Sequence, residues 1–143
     1  MKVGPFLGHI RELESLLAAE LRDAAERHRD DHDVYHQCLT FSNTADKRRQ
    51  KLEPLTGRYS GQATWQSAVG AGTDDLLEDL RALYLRLQES SISWVMAAQA
   101  AKAVRDEELL IVATECSTET ETQAKWFATR IKTGAPQALV VAG

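Results

Sequence analysis

Apolar residues recur along most of this chain at alternating steps of three and four, the spacing that lines up one face of a helix. The longest such run is Leu76–Ala103, where Leu76, Leu80, Leu83, Leu87, Ser91, Trp94, Ala98 and Ala101 share a face. Leu77, Tyr84 and Val95 widen the stripe, and a stripe this broad suits a bundle core better than a narrow coiled-coil seam. The pattern predicts a helix over 74–103. Thr73, Asp74 or Asp75 can cap it, and Asp75 and Glu78 stand at capping-box spacing.

Three more helices follow from the same rule. A first, over 5–30, starts where Pro5 suits an opening turn and carries Leu7, Ile10, Leu13, Leu17, Leu21, Ala24 and His28 on one side. Asp30, Asp31 and Asp33 offer fresh capping side chains, so a tight turn is expected near Asp30–Asp33. The second helix then covers 33–53, with Val34, Cys38, Phe41, Ala45, Arg48 or Arg49, and Leu52 on its stripe, and Pro54 is expected to stop it. The fourth, over 106–132, is capped by Asp106 and has Glu107 and Glu108 at the positive end of its dipole. Its stripe is Leu109, Ala113, Cys116, Thr120, Ala124, Phe127 and Ile131. Gly134 and Pro136 are expected to end it before a tail over 133–143.

Residues 54–72 break every period with Pro54, Gly57, Gly61, Gly70 and Gly72. A helix of about 24 residues is about 36 Å long, and about 19 extended residues reach about 60 Å. The segment can therefore cross from one end of a bundle to the other, with Tyr59, Trp65 and Val69 pinning it to the helices. The expected fold is all-α: one domain over 1–143, an antiparallel four-helix bundle with a long crossover between the second and third helices. That wiring is the ferritin-like kind.

Composition narrows the partners. With 43% hydrophobic and 27% charged residues the chain reads as globular, and a net charge of −4 argues against nucleic acid. The N-terminus lacks the apolar core of a signal peptide, and the run Leu109–Ala113 is far short of a membrane span. The expectation is a cytoplasmic protein with no membrane association. Cys38 and Cys116 form no CxxC unit and read as small buried thiols.

The chain resembles the ferritin-like superfamily of small bacterial bundle proteins. The resemblance rests on Leu76–Leu85 (LLEDLRALYL) leading into Ser91–Trp94 (SISW), on Ala97–Leu110 (AAQAAKAVRDEELL), and on Trp126–Lys132 (WFATRIK) before Ala135–Leu139 (APQAL). His36–Thr44 (HQCLTFSNT) leading to Leu52–Pro54 (LEP) echoes it more faintly. It covers the chain as a pattern of lengths and apolar positions. It implies an antiparallel four-helix core and, in metal-binding relatives, a dinuclear iron or manganese site.

Such a site takes a Glu from each of two helices and a Glu-x-x-His from each of the other two, and the chain holds no Glu-x-x-His. The first helix offers Glu14 or Glu20, the third Glu89 and the fourth Glu119. The reading favours solvated glutamates and no metal or cofactor. His28, His32 and His36 repeat every four residues, as a helical zinc clamp would, but the expected turn interrupts them and they read as solvated or capping side chains. Lys47–Lys51 (KRRQK) reads as a solvated helix end. Ser42, Ser91 and Thr120 place hydroxyls at mid-height on the stripes, where back-bonding to their own helix is the simpler account.

Three functions stay open. The leading one is a non-catalytic bundle acting through protein contacts, self-associating as a homodimer through surplus apolar surface and the tail Ala138–Val141. The second is a metal-dependent oxidase or peroxide-handling enzyme using Glu20, Glu89, Glu119 and a displaced His. The third is a small-ligand binder with a pocket between the helices.

Overall fold

The computed structural model describes residues 2–61, 67–68 and 70–141. Among these the chain is all-helical, with no strand. Helix α1 spans Val3–Arg27, α2 His32–Thr56, α3 Leu76–Val104 and α4 Glu107–Pro136, followed by a π-helical turn over Gln137–Val141. None of these helices is long and apolar enough to cross a membrane.

The caps sit close to where the acids place them. Asp31 accepts from the Val34 N–H, Asp75 from the Glu78 N–H and Asp106 from the Leu109 N–H, so each helix after the first starts on an aspartate. Arg105 takes the left-handed conformation at φ 57° and lets α3 turn into α4 within two residues. Two expected stops do not act as stops. The helix α2 runs through Pro54 to Thr56, because the lost backbone bond is offset by burial of Leu55 and by the Thr56 hydroxyl donating to the Glu53 carbonyl. Helix α4 likewise runs past Gly134 to Pro136, whose missing N–H falls in the final turn.

The helices pack α1 on α2, α2 on α4, α4 on α3 and α3 on α1, which closes a ring around one interior. Its apolar contents form two groups. One gathers Leu17, Leu21, Phe41, Leu83, Leu87 and Phe127. The other gathers Leu7, Ile10, Leu52, Trp94, Leu109 and Cys116. Between them in sequence, on all four helices, lie the polar positions described below.

The segment after α2 begins against the start of α1. Gly61 takes φ 119° over the Pro5 ring, and a Cβ on Gly4 would collide with the Ser60 carbonyl. The Tyr59 hydroxyl donates to Asp106 Oδ2 at 2.8 Å. Further on, the Gly70 N–H donates to Glu20 and the Thr73 N–H to Asp79. The other two expected pins, Trp65 and Val69, lie outside the described residues.

Candidate functional site

Each helix carries a buried polar side chain where the strict alternation of three and four passes mid-length. On α1 the series Leu7, Ile10, Glu14, Leu17, Leu21 puts Glu14 in the interior, and on α2 Phe41, Ala45, Arg48, Leu52 does the same for Arg48. Their exposures are 0% and 1%. Helix α3 adds Ser90 and Trp94, and α4 adds Gln123.

These groups bond to one another. Arg48 donates from Nε to Glu14 Oε2 at 2.8 Å, and from Nη1 to Glu119 Oε1 at 2.7 Å and Gln123 Oε1 at 3.1 Å. Glu14 Oε1 accepts from the Ser90 hydroxyl and from the Trp94 indole N–H, the latter at 3.2 Å. Gln123 passes the network on, donating to Thr44 Oγ1 at 2.6 Å. Arg48 Nη2 is buried without an acceptor among the described residues. A charge buried this deeply persists only if it is paired and hydrogen-bonded, and four helices supply those partners.

Residue by residue, the sequence-derived candidates separate. Glu20 and Glu89 do turn toward one group, but it is a cation. Arg86 donates Nε and Nη2 to Glu20 at 2.7 and 3.0 Å, and Nη1 to Glu89 at 2.7 Å. The Ser67 hydroxyl adds a bond to Glu89 at 2.7 Å. Glu119 belongs instead to Arg48, so the three glutamates share no point. The turn after α1 parts the histidines: His28 is buried, while His32 and His36 are exposed on α2. Among the described residues no group of three His, Cys, Asp or Glu is arranged to hold a metal ion.

The basic run needs correction. Lys47 and Lys51 are exposed as expected, but of the two arginines open to the stripe it is Arg48 that lies in the core, because helical spacing points it at Glu14, while Arg49 is half-buried. The mid-height hydroxyls of Ser42 and Thr120 do bond back within their helices, to the Leu39 carbonyl and to the Cys116 and Ser117 carbonyls. On α3 it is Ser90, not Ser91, that reaches the centre.

Two outer clusters tie the ends. Asp79 accepts from His28 Nε2 at 2.6 Å, Arg27 Nε at 3.0 Å and the Thr73 N–H at 2.9 Å, beside a cavity of about 40 Å³ lined in part by Glu20, Arg27 and Gly72. At the α3–α4 joint, Arg58 donates to Asp106 and Glu108. Burial works to raise the Asp106 carboxyl, but the Leu109 N–H, the Tyr59 hydroxyl and the Arg58 guanidinium together hold it below its usual value. Cys38 and Cys116 are free, buried and in separate apolar groups; burial pushes each thiol up to about 12.

Comparison with known proteins finds no family model, no curated protein and no solved structure that matches the chain.

Proposed function

We propose that the chain is an antiparallel four-helix bundle of the ferritin-like wiring whose centre is closed by ion pairs, and that it acts through protein contacts, first of all with a second copy of itself. The order of contacts supports the wiring. Along α1, Glu14 meets Ser90, Glu20 meets Arg86 and His28 meets Asp79, so α1 and α3 are read in opposite directions. Along α2, Asp31 meets Arg130, Arg48 meets Glu119, and Arg58 just beyond the helix meets Asp106. The linker's anchors run from Pro5 past Glu20 to Asp79, the path of a crossover along the bundle.

The observation that carries the functional reading is the guanidinium of Arg48. A dinuclear iron or manganese centre needs carboxylates converging on a cation. Here the convergent carboxylates, Glu14 and Glu119, already hold a cation built from the chain itself. The residues present do not fit the metal pair: an added dication would meet Arg48 at short range and find both oxygens of Glu14 in use.

Protein purified after growth with added iron and manganese tests this. The expected result is metal far below one ion per chain, together with sedimentation of a dimer. Stoichiometric metal that disappears in Glu119→Ala would overturn the closed-centre reading.

A further inference from the structure

The two halves of the bundle are built differently on the outside. Where a helix face meets only water, intrinsic propensity should govern, and that favours Ala, Glu, Lys, Arg and Gln over β-branched residues. Helix α1 obeys: none of its fully exposed residues is β-branched, and on α2 Thr40 alone is. The outward side of α3 and α4 does the opposite. Ile92 and Val95 on α3, and Ile111, Thr114, Thr118 and Thr122 on α4, are all exposed. Ile92 is 56% exposed and Ile111 57%, with Leu85 and Met96 beside them. Poor helix formers in water-facing positions indicate a contact that rewards them.

Two of the threonines fit such a contact. Thr118 and Thr122 donate to the Thr114 and Thr118 carbonyls at 3.1 and 3.0 Å, so covering them strands no hydroxyl. Charge then chooses the partner. From Arg81 to Ala103 the fully exposed residues of α3 include the cations Arg81 and Lys102 and no acid, whereas α4 opens with exposed Glu107. None of the three makes an ion pair among the described residues.

Resting on the self-association proposed above, we infer that the outward face of α3 and α4 is a two-fold interface on which α3 of one copy lies over α4 of the other. This register sets Lys102 against Glu107 of the second copy and the Ile92–Met96 patch against its Ile111 and Thr118. The internal core fixes these levels, since Trp94–Ala101 pack with Leu109–Cys116 at the joint end. The alternative, α3 over its own counterpart about Ile92, brings Arg81 toward Lys102 and repels. The area agrees with a second copy. Two helices side by side, about 44 Å long and about 20 Å across, offer roughly 900 Å², near the roughly 800 Å² that each partner buries in a standard interface.

Sedimentation equilibrium on the full chain tests the interface, with helicity checked by circular dichroism. Ile92→Glu is expected to weaken the dimer about thirtyfold or more, while Thr40→Glu on the α2 surface leaves it unchanged. Lys102→Glu is expected to weaken it about fivefold, and the pair Lys102→Glu with Glu107→Lys to recover most of that loss. A dimer indifferent to Ile92→Glu but lost on Leu139→Ser with Val140→Ser would move the contact to the tail, overturning this face and leaving self-association standing. A wild-type chain that stays monomeric up to about 100 μM, far above the Kd of a standard-size interface, would overturn both.

Discussion

The Arg48 guanidinium and the Glu14 carboxylate form an ion pair at 2.8 Å with both side chains cut off from solvent, and that pair separates the two apolar groups of the core. Coulomb attraction in a low-dielectric interior is large, but so is the cost of stripping water from both ions. The net gain from keeping the pair is therefore small, while the penalty for breaking it is not. Arg48→Met should lower the unfolding free energy by about 3–5 kcal/mol in urea titrations, because Glu14 is left buried and uncompensated. Adding Glu14→Leu should restore most of that loss, and Arg49→Ala, one residue away, should change stability by no more than about 0.5 kcal/mol. A double variant as unstable as the single one would mean that shape, not charge, governs the layer.

Much of the fold was legible because helices advertise themselves through period. The aspartates at 31, 75 and 106 each cap the helix that follows, as a short acceptor side chain before an apolar run should. Expected ends at Pro54 and Gly134 misread the chain, since a breaker in a last turn costs one bond that burial of a neighbour such as Leu55 offsets. The centre was half legible. Strict alternation picks Glu14, Arg48, Ser90 and Gln123; the α2 stripe leaves Arg48 and Arg49 both open because charge marks the surface, and a second step of four after Leu87 gives Ser91 in place of Ser90. Which carboxylate meets which cation depends on how helices dock, and no period within one helix carries that information.

Asp79 accepts three donors from two parts of the chain, Arg27 and His28 at the end of α1 and the Thr73 backbone before α3. Asp79→Ala would leave a buried imidazole N–H and a backbone N–H without acceptors, a loss of about 2–3 kcal/mol. Asp79→Asn keeps one acceptor oxygen and should cost less. Thermal unfolding of both variants reads the difference. Equal melting temperatures would show that His28 and Thr73 find water instead.

The thiols of Cys38 and Cys116 are pushed up to about 12, chiefly by burial, so at neutral pH almost none of either is thiolate. Native protein should therefore react with a disulfide reagent such as dithionitrobenzoate orders of magnitude more slowly than the same chain in strong denaturant. The native rate should follow the opening of the core, rising in destabilised variants such as Arg48→Met. Rapid labelling of one cysteine in the folded state would contradict its burial.

Asp106 serves α4 as a cap and Arg58 as a counter-ion, and its carboxyl titrates below its usual 3.8. A group with a depressed folded value contributes stability that is complete above the unfolded value and is lost as the pH falls through the folded one. The contribution of Asp106 should thus be constant near neutrality and disappear only in the acid range below 3.8. Asp106→Asn retains a side-chain oxygen for the Leu109 N–H, so it should cost less at neutral pH than Asp106→Ala, for which about 1 kcal/mol is expected. In the same acid range Asp106→Asn should lose stability less steeply than the wild type, because one proton-linked contact is gone. Urea midpoints taken from pH 7 down to the acid transition measure both effects. Parallel wild-type and Asp106→Asn curves would mean that Arg58 and Tyr59 do not hold the carboxylate in solution.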